Sequence, residues 1–267
     1  MTTRLIDSVD LSHYQDTTIL TTITNYGYLL YTLNMLKSLA PFGLDRRVLI
    51  LTMDQKSEHI LRRRGYQVVP MNGDSLERFC PWNTKGYDRI CYIKLEWIHC
   101  LLSHHKNVLL IDGDIVFRKD PAVDLQRWEA DPLTDIWIQN DGHSDNEHGN
   151  MCTGYMYLRS SPTTISLYDC VSAEGQEKYK QCAFVNNDQT YFNQFVKPYC
   201  QMKALPLVQY PNGAIFYLLS TKLSPILVHF NWVVGHMKMA KMKEHQMWLL
   251  EPEEEGGDTA FPHTPLP

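Results

Sequence analysis

Apolar residues in the first part of the chain alternate between short β-branched runs and stretches with helical spacing. The run at 17–24 (TTILTTIT) predicts a buried strand, and apolar positions at helical spacing over 28–39 predict the helix after it. The pattern continues with strands at 47–51, 67–70 and 107–111 and helices at 56–64 and 87–102. Strands that alternate with helices are typical of a parallel α/β sheet.

The alternation becomes irregular after residue 114. Short strands are predicted at 135–139, 154–159 and 226–230, and helices at 161–171 and 188–196. From residue 251 the sequence EPEEEGGDTAFPHTPLP is acidic and rich in proline, which predicts a disordered tail over 251–267. Residues 1–250 are expected to form a single domain, since a chain of 267 residues that is 44% hydrophobic buries one sizeable core.

Charge, cysteine usage and hydropathy exclude several classes of protein. The 30 acidic and 25 basic residues give a formal net charge of -5, so the chain lacks the basic surface that nucleic-acid binding needs. Seven cysteines without Cys-x-x-Cys spacing argue against a zinc site and against a disulfide framework. The start has no signal-like apolar region, and no run approaches the ~18 residues of a membrane span. We therefore expect no membrane span and a cytoplasmic location, with the lumenal catalytic domain of a membrane-anchored parent as the alternative.

The clearest chemical signal is the segment 108–117 (VLLIDGDIVF), an apolar strand that ends in Asp112 and Asp114. Ligands bind at such carboxyl ends in open α/β sheets. Two carboxylates one residue apart can hold Mn²⁺ or Mg²⁺ and leave positions for diphosphate oxygens. Gly113, between them, would let the backbone and a ligand approach closely.

Two other interpretations of this segment remain open from the residues alone. Asp-Gly between two apolar runs is also typical of a type I′ hairpin turn. An apolar strand followed by Asp-x-Asp-x-Val also opens the haloacid dehalogenase phosphatases, in which the first aspartate is the nucleophile. That motif normally stands near the start of its domain, whereas here about 110 residues precede it.

Several motifs in this order resemble the nucleotide-diphospho-sugar transferase family of GT-A fold, classed as family 77. They are TTITNYGYLLYTLNMLKSL (21–39), Lys94, the Asp-x-Asp motif with Arg118, Asp120 and Pro121, MCTGYMYLRS (151–160), NNDQTYFN (186–193) and HFNWVVGHMKMAKMKEHQMW (229–248). The resemblance implies one Rossmann-like α/β domain with a mixed, mainly parallel central sheet flanked by helices. Its nucleotide-binding half would span about 17–120 and its acceptor side about 121–250.

The resemblance also implies a function. A member of this family would use Mn²⁺ or Mg²⁺ to transfer a sugar, with retention, from a nucleotide diphosphate to a hydroxyl of a glycan or glycoprotein, with a UDP-sugar as the first expectation. Asp112, Asp114 and His229 would bind the metal, and Asp188 and Gln189 would face the anomeric carbon. The residues expected to contact the nucleotide sugar are Thr24, Asn25, Tyr28, Lys94, Asp112, Gly113, Asp114, Gly154, Gly235 and Lys238.

Several of these residues also have an ordinary structural interpretation. Asn25 is a good helix N-cap, and Asp188 could cap the helix that follows it. A histidine after an apolar strand, such as His229, is commonly a core residue, and Lys238 by itself would be a solvated helix lysine. The polar segment 141–148 is expected to be a mobile loop over the site. An inactive module that binds a sugar nucleotide or a glycan on the same scaffold is the remaining alternative function.

Overall fold

A computed structural model describes residues 9–12, 14–182 and 187–256 of the chain. Within these residues, seven strands form one sheet with the order β3-β2-β1-β4-β7-β6-β8, and two more strands form a separate ribbon. The strands are β1 Thr18–Thr24, β2 Leu49–Thr52, β3 Gln67–Pro70, β4 Asn107–Ile111, β5 Ile115–Phe117, β6 Ile136–Asn140, β7 Met151–Leu158, β8 Met202–Leu205 and β9 Leu227–His229.

Helices flank the sheet. In chain order they are α1 Leu29–Leu39, α2 Gln55–Arg63, α3 Lys85–Ser103, α4 Ala122–Ala130, α5 Pro162–Leu167, α6 Ala173–Lys180, α7 Asp188–Tyr191, α8 Gly213–Leu219, α9 His236–Glu244 and α10 Pro252–Gly256, and a π-helical turn at Phe192–Val196 continues α7. None of the described helices is both long and apolar enough to cross a membrane.

The sheet is mixed but mainly parallel. Strands β1 to β4 pair in parallel, β7 is antiparallel to both β4 and β6, and β8 is parallel to β6. Six of the seven strands therefore run in one direction. The C-terminal ends of β1, β4 and β6 lie on one side of the sheet, together with the start of β7, and we call this side the carboxyl edge. The predicted α/β fold with a mixed, mainly parallel sheet is confirmed, and this edge is where ligands bind in such sheets.

The ribbon formed by β5 and β9 rules out the hairpin interpretation of the Asp-Gly segment. In a hairpin, β5 would pair with β4, which precedes the turn. Instead β5 pairs antiparallel with β9, and Ile115 lies opposite His229. The turn at Asp112 and Asp114 thus carries the chain out of the sheet and towards a strand more than 100 residues later in the sequence.

The sequence located the strands and α-helices before residue 112 to within two residues, but it missed β5, β8 and the helices α4, α6 and α8. The missed helix α6 buries few side chains, so its apolar pattern is weak. In the segment predicted to be a disordered tail, 252–256 form α10, and Lys37 donates to Glu254 of this helix at 2.5 Å. Residues 257–267 lie outside the described residues, as does Asn186 of the 186–193 motif.

Candidate active site

Three candidate metal ligands come together at the carboxyl edge of the sheet. Asp112 and Asp114 follow β4, and the pairing of β5 with β9 brings His229 to them. One ligand atom from each of the three residues lies within 4.8 Å of the other two. Two carboxylates and an imidazole are a donor set suited to Mn²⁺. We call these three residues the metal cluster.

Gly154, the fourth residue of β7, lies directly against the metal cluster. Its carbonyl accepts a hydrogen bond from the backbone N–H of Asp112 at 2.7 Å. A Cβ at this position would lie 2.2 Å from Cε1 of His229 and 2.9 Å from Oδ2 of Asp112. The close approach of these two side chains therefore requires glycine, and this is the structural reason for the Gly in the 151–160 motif.

Gln139, in β6, fixes the orientation of the His229 ring. Its buried amide nitrogen donates to the carbonyls of Tyr210 and Pro211, both at 3.1 Å. The amide oxygen therefore faces Nδ1 of His229, at 2.7 Å, and accepts a hydrogen bond from Nδ1–H. The other ring nitrogen, Nε2, lies 3.1 Å from Oδ1 of Asp114. His229 is thus held with Nδ1–H on Gln139 and with Nε2 facing the cluster, so Nε2 is the nitrogen that could bind a metal there.

Asp114 is buried between two cationic groups. Lys238 forms an ion pair with one of its oxygens, and His229 contacts the other. Burial raises the pKa of Asp114, but Lys238 and His229 lower it more, so the net pKa lies well below its usual range. Burial also lowers the pKa of His229, yet the Asp114 carboxylate raises it well above its usual value. Asp114 is therefore ionised at neutral pH.

Lys94, a buried residue of α3, joins the metal cluster to Asp188. Its ammonium lies 2.7 Å from Oδ1 of Asp112 and 2.8 Å from Oδ2 of Asp188. Thr153 donates a further hydrogen bond to Asp188 at 2.6 Å. Although burial raises the pKa of Asp188, Lys94 and Thr153 lower it overall. One buried lysine therefore pairs with both carboxylates and lowers the repulsion between them.

The structure separates the two predicted catalytic residues. Asp188 is 5% exposed and points towards Lys94, whereas the amide of Gln189 donates to Asp141 at 2.9 Å. The interpretation of Asp188 as a helix cap is wrong, because Asn187 caps α7 and accepts from the N–H of Thr190 at 2.6 Å. Contact of Asp188 and Gln189 with the anomeric carbon stays a prediction.

The predicted nucleotide-binding residues after β1 lie at the same edge of the sheet. Asn25 is fully buried and caps the short 3-10 turn that follows, since its oxygen accepts from the N–H of Tyr28. Its amide donates to the carbonyl of Arg78 at 3.0 Å. Tyr28 is half-buried, and its hydroxyl donates to the carbonyl of Cys80 at 2.5 Å. Asn25 thus has the structural role of a cap, and a uracil contact by either residue stays a prediction.

The neighbouring helix α1 explains why residue 113 is a glycine. A Cβ on Gly113 would lie 2.8 Å from the hydroxyl oxygen of Thr32 in α1. The same hydroxyl donates to the hydroxyl of Thr24 at 2.8 Å, so Thr24 and Gly113 are connected through Thr32. The close contact that Gly113 permits is therefore the contact of its own backbone with α1.

Gly235 and Lys238 begin α9. Gly235 is the N-cap residue with a φ of 53°, a conformation that favours glycine, and its carbonyl accepts from the hydroxyl of Tyr31 at 3.0 Å. Lys238, in the first helical turn, contacts Asp114 and is not a solvated lysine. A cation at the start of a helix is unfavourable for the helix itself. Its position is therefore explained by the anionic cluster.

Three polar residues of the site were not identified from the sequence: Gln139, Thr153 and Asp141. Gln139 had a recognisable signal, because it is a polar residue near the carboxyl end of an otherwise apolar strand. Asp141, in the segment predicted to be a mobile loop, instead holds that loop to its surroundings. Among the described residues, only the Asp112, Asp114 and His229 group has metal-binding geometry, so the acidic and histidine residues of 141–148 do not form a second cluster.

Comparison with known proteins identifies the family of the chain. The sequence profile of the nucleotide-diphospho-sugar transferase family matches residues 43–244. The chain is similar to a UDP-galactose:fucoside alpha-3-galactosyltransferase of Dictyostelium discoideum, with 22% identity over 86% of this chain. It spans 43% of the length of that relative.

Two solved structures share the fold. One is a glycosyltransferase involved in glycosylation of the major capsid of PBCV-1, with a TM-score of 0.51 and 9% identity over 85% of this chain and 98% of the other. The second is the apo-form glycosyltransferase GlyE of Streptococcus pneumoniae, with a TM-score of 0.55 and 14% identity over 87% of this chain and 60% of the other. The chain has the GT-A fold and belongs to the nucleotide-diphospho-sugar transferase family of glycosyltransferases.

Proposed function

We propose that this chain is a metal-dependent, retaining glycosyltransferase that transfers a sugar from a UDP-sugar to a hydroxyl of a glycan or glycoprotein. The observation that carries the proposal is the metal cluster at the carboxyl edge of a GT-A sheet. The Dictyostelium relative is named for a UDP-galactose donor and a fucoside acceptor, so UDP-galactose and a fucoside are the first substrates to test.

Asp112, Asp114 and His229 would hold Mn²⁺ or Mg²⁺. When bound, the cation would neutralise charge on the diphosphate leaving group. Lys238 reaches the same edge and adds a second positive charge there. In the reaction, the bond from the anomeric carbon to the phosphate oxygen breaks, the acceptor oxygen bonds to that carbon, and the acceptor proton is released. UDP and the glycoside are the products.

Asp188 supports a mechanism with retention. Lys94 keeps the carboxylate of Asp188 ionised next to the metal cluster. There the Asp188 carboxylate can stabilise positive charge on the sugar. The name of the Dictyostelium relative gives an alpha product. Because UDP-galactose is an α-linked donor, an alpha product corresponds to retention. We extend this outcome to the present chain as part of the proposal.

A screen of sugar nucleotides for metal-dependent hydrolysis tests the proposal without knowledge of the acceptor. We expect UDP release from UDP-galactose, or from another UDP-sugar, with Mn²⁺ or Mg²⁺ and none in EDTA. Asp114→Ala should lower this turnover by about a thousandfold, or about 4 kcal/mol. Glu174→Gln, which removes an exposed carboxylate in α6, is the control. Equal turnover by Asp114→Ala and the parent protein would refute the metal site.

A further inference from the structure

Trp232 is exposed and yet held in a fixed position. It follows His229 by three residues, and 54% of its surface is open to solvent. Its φ is 63°, a left-handed backbone conformation that is unfavourable for a bulky aromatic residue. Its indole N–H donates to Oδ1 of Asp141 at 3.0 Å. Burial of the ring does not explain the strained backbone, and such strain is concentrated at functional sites.

Asp141 connects Trp232 to the reaction side of the site. This carboxylate, in the loop between β6 and β7, also accepts hydrogen bonds from Gln189 at 2.9 Å and from Asn231 at 3.2 Å. Gln189 directly follows Asp188, and Asn231 lies two residues after His229. The ring of Trp232 is therefore fixed relative to both Asp188 and the metal cluster.

His143, from the same loop, contributes a second ring. The rings of His143 and Trp232 meet edge to face, with centroids 5.3 Å apart and planes at 76°. More than half of Trp232 nevertheless stays open to solvent. The loop and the segment after β9 thus form a rigid aromatic surface beside the site, with polar groups around it.

We propose that Trp232 is the subsite on which a sugar ring of the acceptor stacks. One face of a sugar ring presents C–H groups, and these are attracted to the negative face of an aromatic ring while the hydroxyls stay hydrated. Because Trp232 lies beside the metal cluster, a sugar ring stacked on it would have its hydroxyls next to the donor. This identification of the ligand as an acceptor glycoside rests on the proposed transferase function.

Saturation-transfer NMR with methyl glycosides of fucose, galactose, glucose and xylose tests the subsite. The samples contain UDP and Mg²⁺, because Mn²⁺ broadens the signals. We expect saturation of the C–H protons of at least one glycoside by the parent protein, and at least about tenfold weaker binding by Trp232→Ala. Circular dichroism and the thermal midpoint verify that the variant is folded.

Two further variants make the result specific. Tyr199→Ala removes another exposed aromatic ring, just before β8 and at the opposite edge of the sheet, and should bind the glycoside as the parent does. Trp232→Phe keeps a ring but loses the hydrogen bond to Asp141, and should retain binding with reduced affinity. Equal glycoside binding by Trp232→Ala and the parent would overturn the subsite, as would no binding of any glycoside by the parent.

Glycoside binding by NMR and hydrolysis of sugar nucleotides are separate measurements, so the subsite and the proposed function can fail independently. Binding of a glycoside is measured without turnover, so it does not depend on sugar transfer. Failure to hydrolyse any sugar nucleotide would contradict the proposed function alone. Hydrolysis with glycoside binding that is indifferent to Trp232 would contradict the subsite alone.

Discussion

The amide oxygen of Gln139 lies 2.7 Å from Nδ1 of His229, on the side of the ring opposite Asp114. This buried contact occupies Nδ1–H and leaves Nε2 as the nitrogen that faces the cluster. Without it, the ring could turn or change tautomer, and Nε2 would no longer be presented to the cluster. Gln139 is therefore a positioning residue for the metal cluster, although it contributes no ligand.

Replacing Gln139 by methionine should weaken Mn²⁺ binding by about 10- to 100-fold, since the ring loses its partner at similar side-chain volume. Gln139→Glu keeps an acceptor for Nδ1–H, so its Mn²⁺ affinity should stay within a few fold of the parent. Isothermal titration calorimetry with Mn²⁺ measures both. If the methionine variant binds Mn²⁺ as tightly as the glutamate variant, the contact does not orient the ligand.

Gly154→Ala should disrupt the metal cluster by steric displacement. The added methyl group would lie 2.2 Å from the His229 ring, so the ring or β7 must move. We expect Mn²⁺ affinity to fall by at least about tenfold. Gly149→Ala, in the preceding loop, is a matched control because its Cβ would have its nearest neighbour at 3.2 Å, away from the cluster. A normal Mn²⁺ isotherm for Gly154→Ala would contradict this packing.

Lys238→Ala should have opposite effects on the two ligands. The ammonium pairs with Asp114 and repels a cation at the cluster, so its removal should strengthen binding of Mn²⁺ alone severalfold. Binding of UDP in the presence of Mn²⁺ should weaken by about tenfold, because a charge-assisted contact to the diphosphate is lost. Lys241→Ala, on the same helix, removes a lysine that pairs with Glu244 and should change neither affinity. Parallel changes in the two affinities would show that Lys238 does not contact the diphosphate.

Asp188→Asn should destabilise the protein at neutral pH. The parent carboxylate is buried against Lys94, and loss of one charge leaves that lysine with Asp112 alone. We expect the free energy of unfolding at pH 7 to fall by about 2–4 kcal/mol, near the lower end of the cost of breaking a buried ion pair. Urea denaturation of the parent and the variant measures the difference.

The difference in free energy of unfolding between the parent and Asp188→Asn should become smaller as the pH falls. Because the pKa of Asp188 is lowered in the folded protein, its contribution is complete above the unfolded value of about 3.9 and is lost as the pH falls through the folded value. The stability deficit of Asp188→Asn should therefore shrink below about pH 4. Asp16→Asn removes an exposed partner of Arg47 and should cost at most about 1 kcal/mol. A deficit that stays constant down to acid pH would mean that the charge on Asp188 contributes nothing.

The part of the fold before residue 112 could be predicted because its information is local. The strands β1 to β4 are short runs of mainly β-branched and apolar residues, and α3 has a long amphipathic pattern with Thr84 as its N-cap. Asp112 and Asp114 were recognisable for the same reason, since they end a strand. The inclusion of His229 with them came from family resemblance, because nothing in the local sequence states that β9 pairs with β5.

Side-chain partners were the part that the sequence could not supply. Asp188 appears in the sequence at the start of a helical pattern, which favours a capping role, and only the tertiary fold brings Lys94 to it. Gln139 contacts His229 at a position where β6 shifts register against β7, between Ile138 and Gln139. Such an irregularity depends on neighbouring strands and leaves no pattern in one chain segment.

The ribbon of β5 and β9 also determines when the three residues of the metal cluster come together during synthesis of the protein. Asp114 leaves the ribosome long before His229, and Lys238 emerges later still. The nascent chain can form β1 to β4 early, because these contacts are closer in sequence. The metal cluster is completed only when β9 pairs with β5, so a translation product that stops before β9 would have the two carboxylates and no imidazole.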